Sequence, residues 1–265
     1  ALVSMKLVAG TMIYSGNSHY WWKGEIVEKI YWRVLPRKSK WNILERPMKY
    51  SKLTDYTIKK ILRCFSHELT AVQTAKQLGL NRNTIDRYFQ LFRERIALHQ
   101  ERSVNQLSGN IEIDESYFGS RHHGDPRGRS TKRKIPVVGL LKRNGVVHTR
   151  IIPNASRRSL LPIIEQLVQK SKSNVYTDKW RSYDSLVMSG YKHYRINHSK
   201  EFARDHNHIN GIESFWSYVK RKMRKHNGIP RHKFYLYLKE SEFRFNHRHD
   251  NLYSLLSTIV FKSLS

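Results

Sequence analysis

The chain has 265 residues, 39% of them hydrophobic, which is enough for a real core in one large domain or two of ordinary size. It sets 49 Lys and Arg against 21 Asp and Glu, a formal net charge of +28. Such an excess points first to a polyanion, nucleic acid above all, because neutralised phosphates release counterions. A single cysteine, Cys64, excludes an intramolecular disulfide framework and a Cys-x-x-Cys zinc ribbon. No run of about 18 apolar residues is present to span a bilayer, and the stretch Ala1 to Met12 lacks the apolar length and cleavage context of a signal peptide. The expected setting is the cytoplasm.

Residues 1–47 hold four of the six tryptophans (Trp21, Trp22, Trp32, Trp41) without a sustained period. Met48-Lys-Tyr-Ser-Lys-Leu looks like a natural chain start, so 1–47 is expected to be an extension that is not native. A helix-turn-helix module is expected over 48–100. Ile58, Ile61, Leu62 and Phe65 fall at i, i+3, i+4, i+7, the stripe of an amphipathic helix. Thr70 to Leu78 is a second, short helix that Gly79 stops; Asn81 caps a third, whose stripe is Ile85, Tyr88, Phe89 and Phe92. Arg82, Asn83, Thr84 and Arg87 lie at the exposed start of that third helix, where a helix-turn-helix meets the major groove. A plain helical bundle with a solvated basic face is the alternative.

A polar linker is expected at 101–110, followed by a change of period. Ile111 to Phe118 alternates as a strand, and Ile135–Leu141 and Val146–Ile152 are two more, joined through the hairpin signal Asn144-Gly145. Leu160, Ile163, Ile164 and Leu167 mark a helix, Asn174–Tyr176 a short strand, Tyr191–Ile196 another, and two final helices begin near Ile209 and Pro230. This order predicts a ribonuclease-H-like α/β domain, a mixed sheet with helices, over 111–249, with 250–265 as a tail. Arg121 to Lys134, including Arg127 and Arg129, reads as a basic loop that grips DNA or is simply solvated.

Three carboxylates stand out against the basic background: Asp114 in Ile111-Glu-Ile-Asp-Glu, Asp178 in Val175-Tyr-Thr-Asp and Glu213 in Asn210-Gly-Ile-Glu. Acids at strand ends and on a late helix suit two Mg²⁺ ions, which together activate an oxygen nucleophile and stabilise a leaving oxygen in phosphodiester chemistry. On the final helix pair's first member, Ile212, Phe215, Trp216 and Val219 form the buried stripe, and Asn210, Glu213, Ser217 and Lys220 share another face. Lys220, with Arg221 beside it, is expected to contact a phosphate or else to be a solvated member of the Lys220-Arg-Lys run. Each acid taken alone is equally well an ordinary capping or paired group. Trp180 and Trp216 are expected in the core, and His193, His198, His206 and His208 lack the closed spacing of a structural zinc site.

Five motifs carry a resemblance: Ile111-Glu-Ile-Asp-Glu-Ser-Tyr-Phe-Gly, Val137-Val-Gly-Leu-Leu, Ile152-Pro-Asn-Ala-Ser, Val175-Tyr-Thr-Asp-Lys-Trp-Arg-Ser-Tyr and His208-Ile-Asn-Gly-Ile-Glu-Ser-Phe-Trp. In this order they resemble the transposase domain of bacterial insertion sequences of the ISXO-two-like group, from about Met48 to His249. The resemblance implies a DDE transposase that cuts the ends of an insertion sequence and joins the freed 3′-hydroxyl to target DNA. Its metal positions fall on Asp114, Asp178 and Glu213, and its following basic residue on Lys220. It further implies two Mg²⁺ ions, replaceable by Mn²⁺, transposon-end and target DNA as partners, a homodimer or larger assembly on DNA, and a nucleoid-associated bacterial protein. The acids are separated by 63 and 34 residues. Two departures matter: many relatives carry an amino-terminal zinc ribbon that one cysteine cannot build, and some carry Asn as the third ligand, which makes Asn210 a reserve for Glu213. A nuclease of the same fold without strand transfer, and a non-catalytic helix-turn-helix regulator, remain open.

Overall fold

The computed structural model describes residues 53–119, 134–178, 190–196 and 209–261. The extension 1–47, the basic loop with Arg127 and Arg129, Trp180, and His198, His206 and His208 lie outside the described residues.

Three helices come first. α1, Asp55–Ser66, starts at Thr54, whose hydroxyl accepts the Thr57 N–H, and buries Ile58, Ile61, Leu62 and Phe65 as its spacing predicts. α2, Ala71–Leu78, opens with a reciprocal Thr70–Gln73 capping box and ends at Gly79, which takes the left-handed conformation (φ 65°) that a side chain resists. α3, Arg82–Arg102, is capped by Asn81 and outruns its expected stripe because Ile96 and Ala97 continue the buried face. The expected linker at 101–110 is therefore mostly structured. Only residues 103–106 separate α3 from β1, Leu107–Phe118, since buried Leu107 already pairs with Val168.

β1 is the centre of a five-stranded sheet. β2, Ile135–Lys142, pairs antiparallel with β1, and β3, Val147–Ile151, antiparallel with β2 through the predicted turn, where Asn144 adopts φ 56°. α4, Arg157–Leu167, then carries the chain to β4, Val168–Asp178, which runs parallel to β1, with β5, Lys192–Ile196, parallel beyond it. The order β3-β2-β1-β4-β5 is the ribonuclease-H-like arrangement. β4 is much longer than the expected Asn174–Tyr176, because Gln169-Lys-Ser-Lys hides an exposed first half from any reading of apolar runs.

Alternation along β1 decides what each face holds. Ile111 and Ile113, with Val138, Leu140 and Val175, pack beneath α4 through Leu160, Ile164 and Leu167. The other face carries Phe118, Val137, Leu141 and Tyr176 against Ile212, Phe215, Trp216 and Val219 of α5, Asn210–Arg224. A 3-10 turn at Arg231–Lys233 leads into α6, Phe234–Asn246, and α7 follows at Leu252–Phe261.

The expected tail at 250–265 is thus largely a helix. Leu256, Ile259 and Val260 of α7, with Phe243 of α6, complete the apolar core of α1 and α3. α6 also sends Leu238 into the sheet core, so one helix belongs to both halves. Around it lies a buried ion cluster: Arg93 Nε to Glu240 at 2.6 Å, Arg244 Nε to Glu240 at 2.8 Å, and Lys222 Nζ to Glu68 at 3.0 Å. Arg244 also donates to the carbonyls of Phe65 and Ser66 at the end of α1. Burial alone would raise the Glu240 carboxyl, but Arg93, Lys222 and Arg244 hold it far below its ordinary range.

Candidate active site

Strand register brings the first two acids together. Glu112 of β1 is the Cα partner of Tyr176 of β4 in a parallel ladder; two residues further along both strands stand Asp114 and Asp178. Both side chains rise on the face that α5 covers, each half-buried. On the other side of Asp114 its antiparallel partner is Gly139.

Gly139 is what lets α5 come down. A Cβ there would sit 2.6 Å from Trp216 Cζ2 and 2.9 Å from Ile212 Cδ1, well inside van der Waals contact. The indole consequently lies on bare backbone beside Asp114, buried in the core as expected for Trp216. Its N–H has no hydrogen-bond partner of ordinary geometry among the described residues, yet it lies near enough to favour the charged form of Asp114.

Glu213 is in the first turn of α5, on the exposed face with Asn210, Ser217 and Lys220 that helical spacing predicts. Asp178 and Glu213 both lie within electrostatic reach of Asp114. Burial pushes the Asp114 carboxyl up to about 6; the Glu115 backbone N–H opposes the rise, and the charges of Asp178 and Glu213 add to it. Three carboxylates are the donor chemistry that a hard divalent cation takes. Among the described residues, no three His, Cys, Asp or Glu side chains are gathered tightly enough to ligate one ion.

Lys220 is exposed two turns along α5, its Nζ 6.0 Å from the Phe118 ring centroid. It borders an open cleft of about 540 Å³ whose lining includes Arg224 and Arg231 over an apolar floor of Phe118, Met223 and Phe234. Arg221 is exposed next to it. Arg82, Asn83 and Arg87 are exposed and Thr84 half-buried at the start of α3, and Arg82 pairs with Asp86 at 3.5 Å. These residues do not join the acids; they form a separate polar surface.

Two features escaped the motifs. Glu112, read only as a member of the Ile111-Glu-Ile-Asp-Glu motif, is 1% exposed and bonded to Arg143 and to the start of α5; its even spacing from Asp114, on the same face, was the available signal. Gly139 and Gly211 mark close approaches, which for Gly139 a glycine inside an apolar strand hints at.

The family model described as the ISXO2-like transposase domain matches residues 106–246. An uncharacterized transposase-like protein of Haemophilus influenzae is 55% identical over 100 residues, which cover 38% of this chain and 80% of that protein. An uncharacterized protein in transposable element ISH50 of Halobacterium salinarum is 30% identical over 155 residues, 52% of each, so the chain spans about half of that second relative. Among solved structures, the Mos1 transposase paired-end complex with left transposon end aligns over 81% of both chains at 11% identity and a TM-score of 0.27. The Mos1 mariner paired end complex with Mn aligns over 89% of this chain and 86% of that one, at 12% identity and a TM-score of 0.25. Likenesses that distant carry no weight beside the sheet order itself.

Proposed function

The chain belongs to the ISXO2-like transposase domain family, and from that premise we propose that it is a DDE transposase that cleaves the ends of its insertion sequence and joins them to target DNA. The observation that supports this reading is that Asp114 and Asp178 stand on neighbouring parallel strands, with the charges of Asp178 and of Glu213 on α5 both acting on Asp114. These three carboxylates would hold two Mg²⁺ ions, with Mn²⁺ able to replace them. Bound there, such ions supply Lewis acidity to the entering and leaving oxygens of an in-line phosphoryl transfer.

In the first step a water oxygen bonds to phosphorus at the transposon end, the P–O3′ bond breaks, and the 3′-oxygen leaves as a hydroxyl. In the second, that hydroxyl attacks a target phosphodiester, and the target's own 3′-oxygen leaves. The protein's part is to hold and orient. Lys220 meets the phosphate on the Glu213 side of α5, and Arg224 and Arg231 line the cleft along which the strand runs. Arg221, Arg127 and Arg129 neutralise flanking phosphates. Arg82, Asn83, Thr84 and Arg87 read the element's end from the start of α3, as the second helix of a helix-turn-helix does. Two ends must be cut together, so the working form is a homodimer or larger assembly on DNA, in the cytoplasm with the nucleoid.

A strand-transfer assay with the element's own ends and Mg²⁺ tests this. Joined products are expected from the wild type, and Asp114→Ala or Asp178→Ala should abolish them while end binding persists. Intact joining in either variant overturns the mechanism; hydrolysis without joining assigns a nuclease.

A further inference from the structure

We propose that Glu112 is a positioning residue for Glu213: a buried carboxylate from β1 that caps α5 and sets the third acid against the other two. The proposal rests on the reading of Asp114, Asp178 and Glu213 as a metal site.

α5 has no cap of its own. Its N-cap residue is Ile209, which offers no side-chain acceptor, although the first-turn N–H groups of any helix need one. Glu112 supplies it from another element, with Oε2 accepting the Ile212 N–H at 2.9 Å. Its second oxygen accepts from Arg143 Nε at 2.9 Å, and the Arg143 guanidinium lies 4.0 Å over the Tyr176 ring. The carboxylate reaches the amide only because residue 211 is glycine: a Cβ on Gly211 would stand 2.8 Å from Glu112 Oε2 and 2.6 Å from Leu141 Cδ2.

Register gives this contact its meaning. Glu112 is two residues before Asp114 and Tyr176 two before Asp178, and the two are Cα partners. A layer one pleat beneath the acids therefore joins β1, β4, the β2–β3 hairpin through Arg143, and α5. The residue after the capped amide is Glu213 itself. A leucine at 112 would fill the same space among Leu141 and Ile212, but it would leave the Ile212 N–H and Arg143 without this acceptor and α5 free to slide along the sheet.

Three measurements on the full chain test it: amide hydrogen exchange over 210–213, Mn²⁺ binding by calorimetry, and end cleavage at limiting and saturating Mn²⁺. In Glu112→Gln, exchange at the start of α5 should quicken and Mn²⁺ affinity should fall about tenfold, as loss of a group that orients a metal ligand does. Cleavage should fall at limiting Mn²⁺ and recover in excess, with end binding unchanged. Gly211→Ala, which leaves the carboxylate in place but displaces the amide, should reproduce the pattern and replaces Glu112→Gln if that variant does not fold. Wild-type exchange and Mn²⁺ affinity in the folded variant overturn the proposal. The parent reading fails differently, by Asp114→Asn binding Mn²⁺ as tightly as the wild type.

Discussion

Asp114 is ionised at a cost to the fold. Burial, with Asp178 and Glu213 adding to it, lifts its carboxyl to about 6 from an ordinary 3.8, a disadvantage on the order of 2–3 kcal/mol for the charged form in the metal-free protein. The folded state binds this proton more tightly than the unfolded chain does. The penalty is therefore full above about pH 6 and fades as pH falls toward 3.8. Asp114→Asn should raise the melting temperature of the metal-free protein at pH 8 by several degrees, and by much less near pH 4.5. Mn²⁺ should stabilise the wild type at pH 8 and leave the variant unchanged. Thermal melts at the two pH values check this; a variant less stable than the wild type at pH 8 would mean that Asp114 is held by favourable partners and not strained by its neighbours. On the proposed reading, Asp114 would weaken the metal-free fold in exchange for its role at the site, as acids at functional sites do.

At the scale of elements, the site depends on how closely α5 approaches β2. Trp216 and Ile212 occupy the space a side chain at 139 would need, so Gly139→Val must lift the helix that carries Glu213 and Lys220. Overpacking of this kind costs about 1–3 kcal/mol. Gly139→Val should lower the urea midpoint accordingly and reduce end cleavage far more than end binding; an equal loss of both would place the damage elsewhere. The stripe on α5, and those on α1 and α3, were legible in the sequence because apolar residues recur at 3.6-residue spacing with polar residues between them, and the β2–β3 turn was legible in Asn144-Gly145. The length of β4 was not, since Lys170 and Lys172 occupy its exposed half. The two aspartates could be singled out by motif, but the clamp at Glu112 could not: in Ile111-Glu-Ile-Asp-Glu nothing local tells a carboxylate that will bind a helix amide from one that will face a metal. That distinction is made by Gly211 and Arg143, 99 and 31 residues away.

The whole molecule is less modular than its sequence suggests. The expected boundaries put the helical reader at 48–100 and a tail after 249, yet the core of α1 and α3 is closed by Phe243 of α6 and by α7. Arg93 and Arg244 pin both sides to Glu240, and Lys222 ties the rear of α5 to Glu68 just after α1. The helical module α1–α3 and the five-stranded sheet are therefore joined through one buried ion cluster, and α7 packs into the core that α1 helps to form. Leu256 and Val260 are completely or almost completely buried and Ile259 nearly so; each such side chain contributes about 1.5–3 kcal/mol, a sum comparable with the roughly 5–15 kcal/mol that holds an ordinary domain together. A chain ended at His249 should thus lose hydrogen-exchange protection across α1, α2 and α3 and with it specific end binding. The sheet cores, which contain no residue of α7, should keep protection in β1, β2 and β4. Full protection of α1 and α3 in the truncated chain would show that α7 rests on the helical module without completing its core, and uniform loss would show that sheet and helical module unfold as one unit.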